Sequence, residues 1–198
     1  MEIERLVLGD YQTNTYILYQ AGGKSCLVID PGYEAGQILL RLEKLGLTLE
    51  AILLTHGHFD HVGAVKELAA ETDCDVYINR REATMPPMMT SGTLYYTHTY
   101  DEGDRLTLAG LSFTVLATPG HTPGSVCLDF GEYLFTGDTL FAGSCGRTDL
   151  PGGDSATLWK SLNRLAALDR DCRILPGHGS ASLLRQEQQT NPYLGGNL

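Results

Sequence analysis

Within six residues, His56-Gly57-His58-Phe59-Asp60-His61, the chain places three imidazoles and a carboxylate. Neutral imidazole suits zinc and iron, and a carboxylate widens the choice of ion. One short loop cannot aim four such groups apart, so the chemistry to expect is metal binding. Three more polar residues occur in a similar setting. His121 lies in Thr118-Pro119-Gly120-His121-Thr122-Pro123-Gly124-Ser125, Asp138 in Phe135-Thr136-Gly137-Asp138-Thr139, and His178 in Leu175-Pro176-Gly177-His178-Gly179. Each follows an apolar run, and each has glycine immediately before it, which lets backbone turn sharply beside a site. Together these make five His and two Asp at four predicted strand ends. His98, the sixth histidine, sits in an irregular stretch and is left out of the set.

The elements that position these groups are legible from periodicity. Ala51 to Leu54 reads as a buried strand leading into the first loop, and Val62 to Ala70 as the amphipathic helix leaving it. Upstream, Ile3 to Leu8, Thr15 to Tyr19 and Cys26 to Ile29 read as strands. Gly22-Gly23 marks a hairpin, Asp30-Pro31-Gly32 stops the third strand, and the next helix ends at Gly46. Downstream, two hairpins are expected about Ala109-Gly110 and Gly131-Glu132. A helix is expected from Asp154 to Leu168, with Leu158, Trp159, Leu162 and Leu165 on its core face. A strand at Arg173 to Leu175 and a helix at Ala181 to Gln189 close the pattern. Thr84 to Tyr100 is different: the prolines in Met85-Pro86-Pro87-Met88-Met89 forbid a regular helix. That stretch reads either as a connector or as a flap over the site. Strands followed by helix, twice over, predict two packed sheets with helices outside, in one domain spanning residues 1–198.

Composition bounds the function. The 198 residues carry 14 Lys and Arg against 24 Asp and Glu, a formal net charge of −10, with no basic cluster beyond Arg80-Arg81. Such a chain repels phosphate backbones, so nucleic acid is not an expected partner. No run of 18 apolar residues and no secretory leader pattern occurs, so no membrane partner is expected either. Five widely spread cysteines without a Cys-x-x-Cys pair read as reduced thiols, which predicts a cytoplasmic location.

The order His-x-His-x-Asp-His, Pro-Gly-His-Thr-Pro-Gly, Thr-Gly-Asp-Thr, Pro-Gly-His-Gly resembles the metallo-β-lactamase superfamily. The stretch Leu140 to Asp149, Leu-Phe-Ala-Gly-Ser-Cys-Gly-Arg-Thr-Asp, resembles more particularly its glyoxalase II-like (hydroxyacylglutathione hydrolase) branch. That resemblance implies an α+β fold, a four-layer αββα sandwich. It implies two divalent ions, zinc or else iron or manganese. One would be held by His56, His58 and His121, and the other by Asp60, His61 and His178, with Asp138 between them. The implied reaction is hydrolysis of a small-molecule thioester, S-lactoylglutathione or a relative, by a hydroxide shared by the ions and aimed by Asp60. The expected assembly is a monomer or homodimer.

Classical glyoxalase II enzymes carry a C-terminal helical domain that helps bind glutathione, whereas only twenty residues follow His178. Substrate contacts are therefore expected from Tyr95, Tyr96, Cys145 and Arg147. A pairing of Arg147 with Asp149 or Asp154 is the alternative to a substrate role for that residue. A rival within the same superfamily is a persulfide dioxygenase using one iron on His56, His121 and Asp138. A binding protein without catalysis is a third reading. A β-lactamase is disfavoured because Asp138 stands where several such enzymes have cysteine.

Overall fold

A computed structural model describes residues 1–90 and 92–194. The chain runs β1 (Glu2–Leu8), β2 (Thr13–Tyr19), β3 (Ser25–Ile29), α1 (Ala35–Leu45), β4 (Thr48–Leu53), α2 (Phe59–Val62), α3 (Val65–Thr72), β5 (Asp75–Asn79) and β6 (His98–Tyr100). These six strands form one mixed sheet in sequence order, antiparallel from β1 to β3 and parallel from β3 to β6. The remainder runs β7 (Arg105–Leu108), β8 (Leu111–Ala117), β9 (Val126–Asp129), β10 (Tyr133–Gly137), β11 (Leu140–Phe141), β12 (Ser144–Cys145), α4 (Ser155–Ala166), β13 (Arg173–Pro176), β14 (Ser182–Leu183) and α5 (Leu184–Thr190). The second sheet has the order β14-β13-β10-β9-β8-β7, and β11-β12 is a separate small hairpin.

The four layers follow from side-chain alternation. Consecutive residues of a strand face opposite ways, and here both faces are covered, so central strands such as Cys26-Leu27-Val28-Ile29 are apolar throughout. Cys26 and Val28 join Ile38, Leu42, Val65 and Leu68 of α1 and α3 in one core. Leu27 and Ile29 join Leu53, Phe113, Val115, Leu128, Phe135 and Leu175 between the two sheets. On the far side, Leu134 and Ile174 pack with Leu158, Leu162 and Leu165 of α4 and Leu184 of α5. The αββα expectation is met.

Local departures from the sequence reading have physical causes. The helix expected over Val62 to Ala70 is two pieces, because Ala64 N–H donates to Pro31 O (3.0 Å) rather than up a continuous helix. Gly63 sits so close to Gly32 that a Cβ would lie 2.2 Å from its carbonyl oxygen. Thr84 to Tyr100 is not irregular throughout: Pro87–Met89 is a 3₁₀ turn with Pro at its start, and His98–Tyr100 adds an edge strand to β5. Trp159 is only half-buried and does not join Leu158, Leu162 and Leu165 in the core. The last helix starts later than expected, since Ser182–Leu183 pairs with β13 before α5 begins.

The site lies where the carboxyl ends of β3, β4, β10 and β13 meet. β3 and β4 run parallel in one sheet, β10 and β13 in the other. The two edges are tied directly by Asn14 N–H donating to Gly177 O (2.7 Å) and by an antiparallel bridge between Thr13 and His178.

Candidate metal centre

The loop after β4 and the turns after β8, β10 and β13 bring the seven predicted residues together. His58 Nδ1 lies 2.9 Å from His121 Nε2, and His56 joins them in a three-imidazole group whose ligand atoms lie within 4.8 Å of one another. Asp60, His61 and His178 make a second such group. There His61 Nε2 is 3.3 Å from His178 Nε2, and Asp60 Oδ2 is 3.2 Å from the same His178 nitrogen. Asp138 faces both groups. Its Oδ1 is 3.4 Å from His61 Nε2, and its Oδ2 is 3.6 Å from His121 Nε2 and 3.5 Å from His178 Nε2. Gly177 makes this approach possible, because a Cβ there would lie 2.3 Å from Asp138 Oδ1.

The outward nitrogens are held by groups that sequence reasoning did not single out. His56 Nδ1–H donates to Thr55 Oγ1 (3.1 Å), and His61 Nδ1–H to Asp30 Oδ2 (3.1 Å). His121 Nδ1–H donates to Arg147 O (2.7 Å), and His178 Nδ1–H to Tyr11 O (3.1 Å). Each bond leaves the Nε2 lone pair turned inward, the arrangement that metal-binding histidines need. Asp30 is central: besides His61 it accepts from Thr55 N (2.8 Å) and Thr55 Oγ1 (2.6 Å). The sequence signal for it was Asp30-Pro31-Gly32 at a strand end, which reads equally well as a turn.

The donor set fits divalent ions. Among the described residues, His56 Nε2 and Asp138 Oδ1 are buried with no hydrogen-bond partner, a costly state for polar atoms unless something cationic meets them. Imidazoles crowded nitrogen to nitrogen, with carboxylates beside them, match the nitrogen and oxygen ligands that zinc and iron accept.

In the protein without ions the two groups titrate differently. Burial, together with the neighbouring imidazoles, lowers His56 far and brings His58 down to about 4. Burial also lowers His121, though Asp138 opposes it. In the second group burial is outweighed. The carboxylates of Asp138, Asp30 and Asp60 lift His61 to about 9, and Asp60 and Asp138 lift His178. Burial alone would raise Asp60, but its bond to His178 and the charge of His61 hold it far below the usual carboxylate range. At neutral pH the first group therefore offers free lone pairs, while the second must release a proton to take an ion. Below the raised pKa of His61, each pH unit lost weakens apparent affinity at the second group about tenfold per displaced proton. Dialysis against a fixed metal buffer is expected to empty the Asp60, His61 and His178 group before the three-imidazole group as pH falls from about 8 to about 6; equal loss from both groups would contradict this ordering.

The expected substrate residues are placed as follows. Cys145 pairs with Leu140 in the small hairpin and packs against the outer core of the second sheet, and burial raises its thiol pKa. The Arg147 guanidinium makes two bonds to Asp149, Nε to Oδ1 and Nη2 to Oδ2, both 2.7 Å. Tyr95 lies over a small cavity of about 40 Å³ beside Val62 and Lys66, and Tyr96 is exposed. His98 stacks on Tyr77 at 4.7 Å in β6. Rings near the centre come from elsewhere. Tyr11, 59% exposed, meets Phe59 edge-on at 5.1 Å, and Phe141 lies 6.3 Å from His178. No helix among the described residues is long and apolar enough to cross a membrane.

Comparison with known proteins identifies the family and fold. Residues 8–178 match the family described as the metallo-beta-lactamase superfamily. The chain is 36% identical to "Hydroxyacylglutathione hydrolase GloC" of Haemophilus influenzae, over 98% of each chain. Among solved structures it resembles the "BLEG-1 B3 metallo-beta-lactamase" (36% identity, TM-score 0.91, 98% of this chain and 100% of that one). It also resembles TTHA1623 "in a di-iron-bound form" (39% identity, TM-score 0.84, 96% and 100%).

Proposed function

Because the chain belongs to the metallo-beta-lactamase superfamily, we propose that it is a dinuclear metal-dependent hydrolase of thioesters, with S-lactoylglutathione or a related hydroxyacyl thioester as substrate. The observation that carries this reading is the carboxylate of Asp138 facing nitrogens of both ligand groups. In this reading His56, His58 and His121 hold one ion, Asp60, His61 and His178 the other, and Asp138 reaches both. Two zinc, iron or manganese ions, when bound, supply a water acidified toward neutral pH and a Lewis acid for the thioester carbonyl.

The chain's own residues supply the rest. Asp60 stays ionised and takes a hydrogen bond from Thr13 Oγ1 (3.4 Å), so it can accept one from the attacking water and aim it. The oxygen of water would add to the acyl carbon as one of its protons passes to solvent, the C–S bond would break, and the products would be a carboxylic acid and a thiolate. A thiol of ordinary pKa near 8.5 needs no dedicated acid to leave. Cys145 is not required as a nucleophile, and its raised pKa does not suit it to that role. Tyr11, Phe59 and Phe141 offer the acyl or thiol part an aromatic wall. Arg147 retains Nη1 for a substrate carboxylate while Asp149 holds the other side of the fork. The name of the Haemophilus relative supports the thioester class, and the di-iron neighbour supports a pair of ions. Five free cysteines, four of them buried, support a cytoplasmic setting, where the chain would act as a monomer or homodimer on a small soluble substrate.

The test is metal analysis of protein purified without chelator, alongside assays with S-lactoylglutathione, a neutral thioester, a chromogenic cephalosporin and a persulfide under oxygen monitoring. Two ions per chain and thioester turnover without oxygen uptake are expected. One iron per chain with oxygen consumption would replace this function with a dioxygenase, and preferred cleavage of the cephalosporin would replace it with a lactamase.

A further inference from the structure

Glu82 is a fully buried carboxylate on the 3₁₀ turn Arg80–Thr84, a segment that carries no recognisable motif and supplies none of the seven ligand residues. Burying a charge-bearing group is costly unless every acceptor site is used, and here the acceptors are used in a particular way. Oε2 accepts from the backbone N–H of Gly57 at 2.6 Å. Oε1 accepts from the backbone N–H of Gly124 at 2.6 Å and from Thr122 Oγ1 at 2.8 Å. Gly57 lies between His56 and His58; Thr122 and Gly124 follow His121. The carboxylate therefore joins the two loops that carry one ligand group, and it touches neither Asp60, His61 nor His178 through a hydrogen bond among the described residues.

The fit is close enough to dictate the neighbouring residue types. A Cβ at Gly124 would fall 2.7 Å from Glu82 Oε1 and 2.9 Å from Glu82 N, and one at Gly57 would fall 3.1 Å from Oε2. Thr122 is itself fixed, since its N–H donates to Ser125 Oγ (3.1 Å) and its hydroxyl lies 2.6 Å from the same oxygen. All three partners of Glu82 are donors. A carboxylate accepts from all of them, whereas an amide would turn a donor onto at least one.

We propose that Glu82 is the positioning residue for one ion of the pair: by clamping the His56–His58 loop to the His121 loop it sets the three-imidazole group. The proposal rests on the reading of His56, His58 and His121 as one metal group. Outer contacts of this kind change metal affinity about 10–100-fold when removed. Glu82→Ala is expected to weaken one of two zinc ions by that factor and to leave the other within about twofold, a spread within which separate sites count as independent. Glu82→Gln, which keeps one acceptor oxygen, should fall between. Thr122→Val, which removes a single bond without changing shape, should produce a smaller loss at the same ion.

The experiment is a zinc titration of metal-free protein against a chromophoric chelator, with thermal melting of each metal-free variant to verify folding. Two single-site backgrounds assign the ion. With His178→Ala present, Glu82→Ala should weaken the remaining ion about 10–100-fold; with His121→Ala present, it should have almost no effect on the remaining ion. Equal weakening in both backgrounds, or none in either, would overturn the proposal. If Glu82→Ala does not fold, Thr122→Val in the same two backgrounds decides by the same pattern. Wild-type protein that takes up fewer than two zinc ions would instead overturn the dinuclear reading, a result visible before any variant is made.

Discussion

Asp138→Ala is expected to lower thioester turnover by on the order of 10²–10³-fold, the size of effect seen when a principal charge-stabilising group is removed, and to reduce bound metal below two ions per chain. The reason is position. Asp138 Oδ1 is buried without a partner and faces His61, while Oδ2 faces His121 and His178. Two dications held by these groups would repel each other, and Asp138 is the carboxylate placed to offset that repulsion. Asp138→Asn keeps the shape and halves the problem, since one oxygen remains to accept a cation while the amide nitrogen cannot. It should retain more metal than the alanine variant but little of the rate. Metal content and kcat measured on the same samples decide the matter. Near-normal turnover with both ions still bound to Asp138→Ala would remove Asp138 from the centre.

The second large effect concerns Asp30, which holds no ion in this reading. One of its oxygens takes His61 Nδ1–H and the Thr55 hydroxyl; the other takes Thr55 N–H. Having given its proton to Asp30, the Thr55 hydroxyl can only accept from His56 Nδ1–H. A single buried carboxylate thereby selects the inward-facing nitrogen of one histidine in each group. Asp30→Ala is expected to weaken both ions about 10–100-fold, and to cost about 1–3 kcal/mol of stability for each buried donor left unpaired. Asp30→Asn turns an amide donor toward groups that donate, so it should resemble alanine in metal affinity. The contrast with Glu82 is diagnostic: loss at both ions for Asp30, at one for Glu82. A zinc titration in which Asp30→Asn binds either ion as tightly as wild type would show that His56 and His61 do not depend on this relay.

Much of the centre was legible because its residues are locally marked. Each of the four strand ends combines an apolar run, a glycine and a polar residue, and the first compresses four candidate ligands into six positions. What could not be read was anything defined by contact across the sandwich. Asp30 looks like a strand stop until β3 and β4 lie side by side and bring it under Thr55. Glu82 sits among Arg80, Arg81 and Ala83 with nothing local to distinguish it from a solvated residue, yet it is fully buried. The break between α2 and α3 depends on the carbonyl of Pro31, which takes the Ala64 N–H from far along the chain. The strand His98–Tyr100 is too short for alternation to reveal. Trp159 followed the helical period, but period alone does not say how far an apolar face extends before it reaches solvent.

The two ligand groups draw on both halves of the chain. His56, His58, Asp60 and His61 come from the loop after β4, whereas His121, Asp138 and His178 come from the second sheet. During synthesis from the amino end, a nascent chain that stops short of residue 121 offers neither group complete. One that stops short of residue 178 can complete only the three-imidazole group. The second group needs His178, which β13 carries beside β10 and which the bridge to Thr13 holds in place. Both groups are thus complete only in a chain whose carboxyl-terminal half has arrived and packed, and a partly made chain lacks ligand residues of at least one of them.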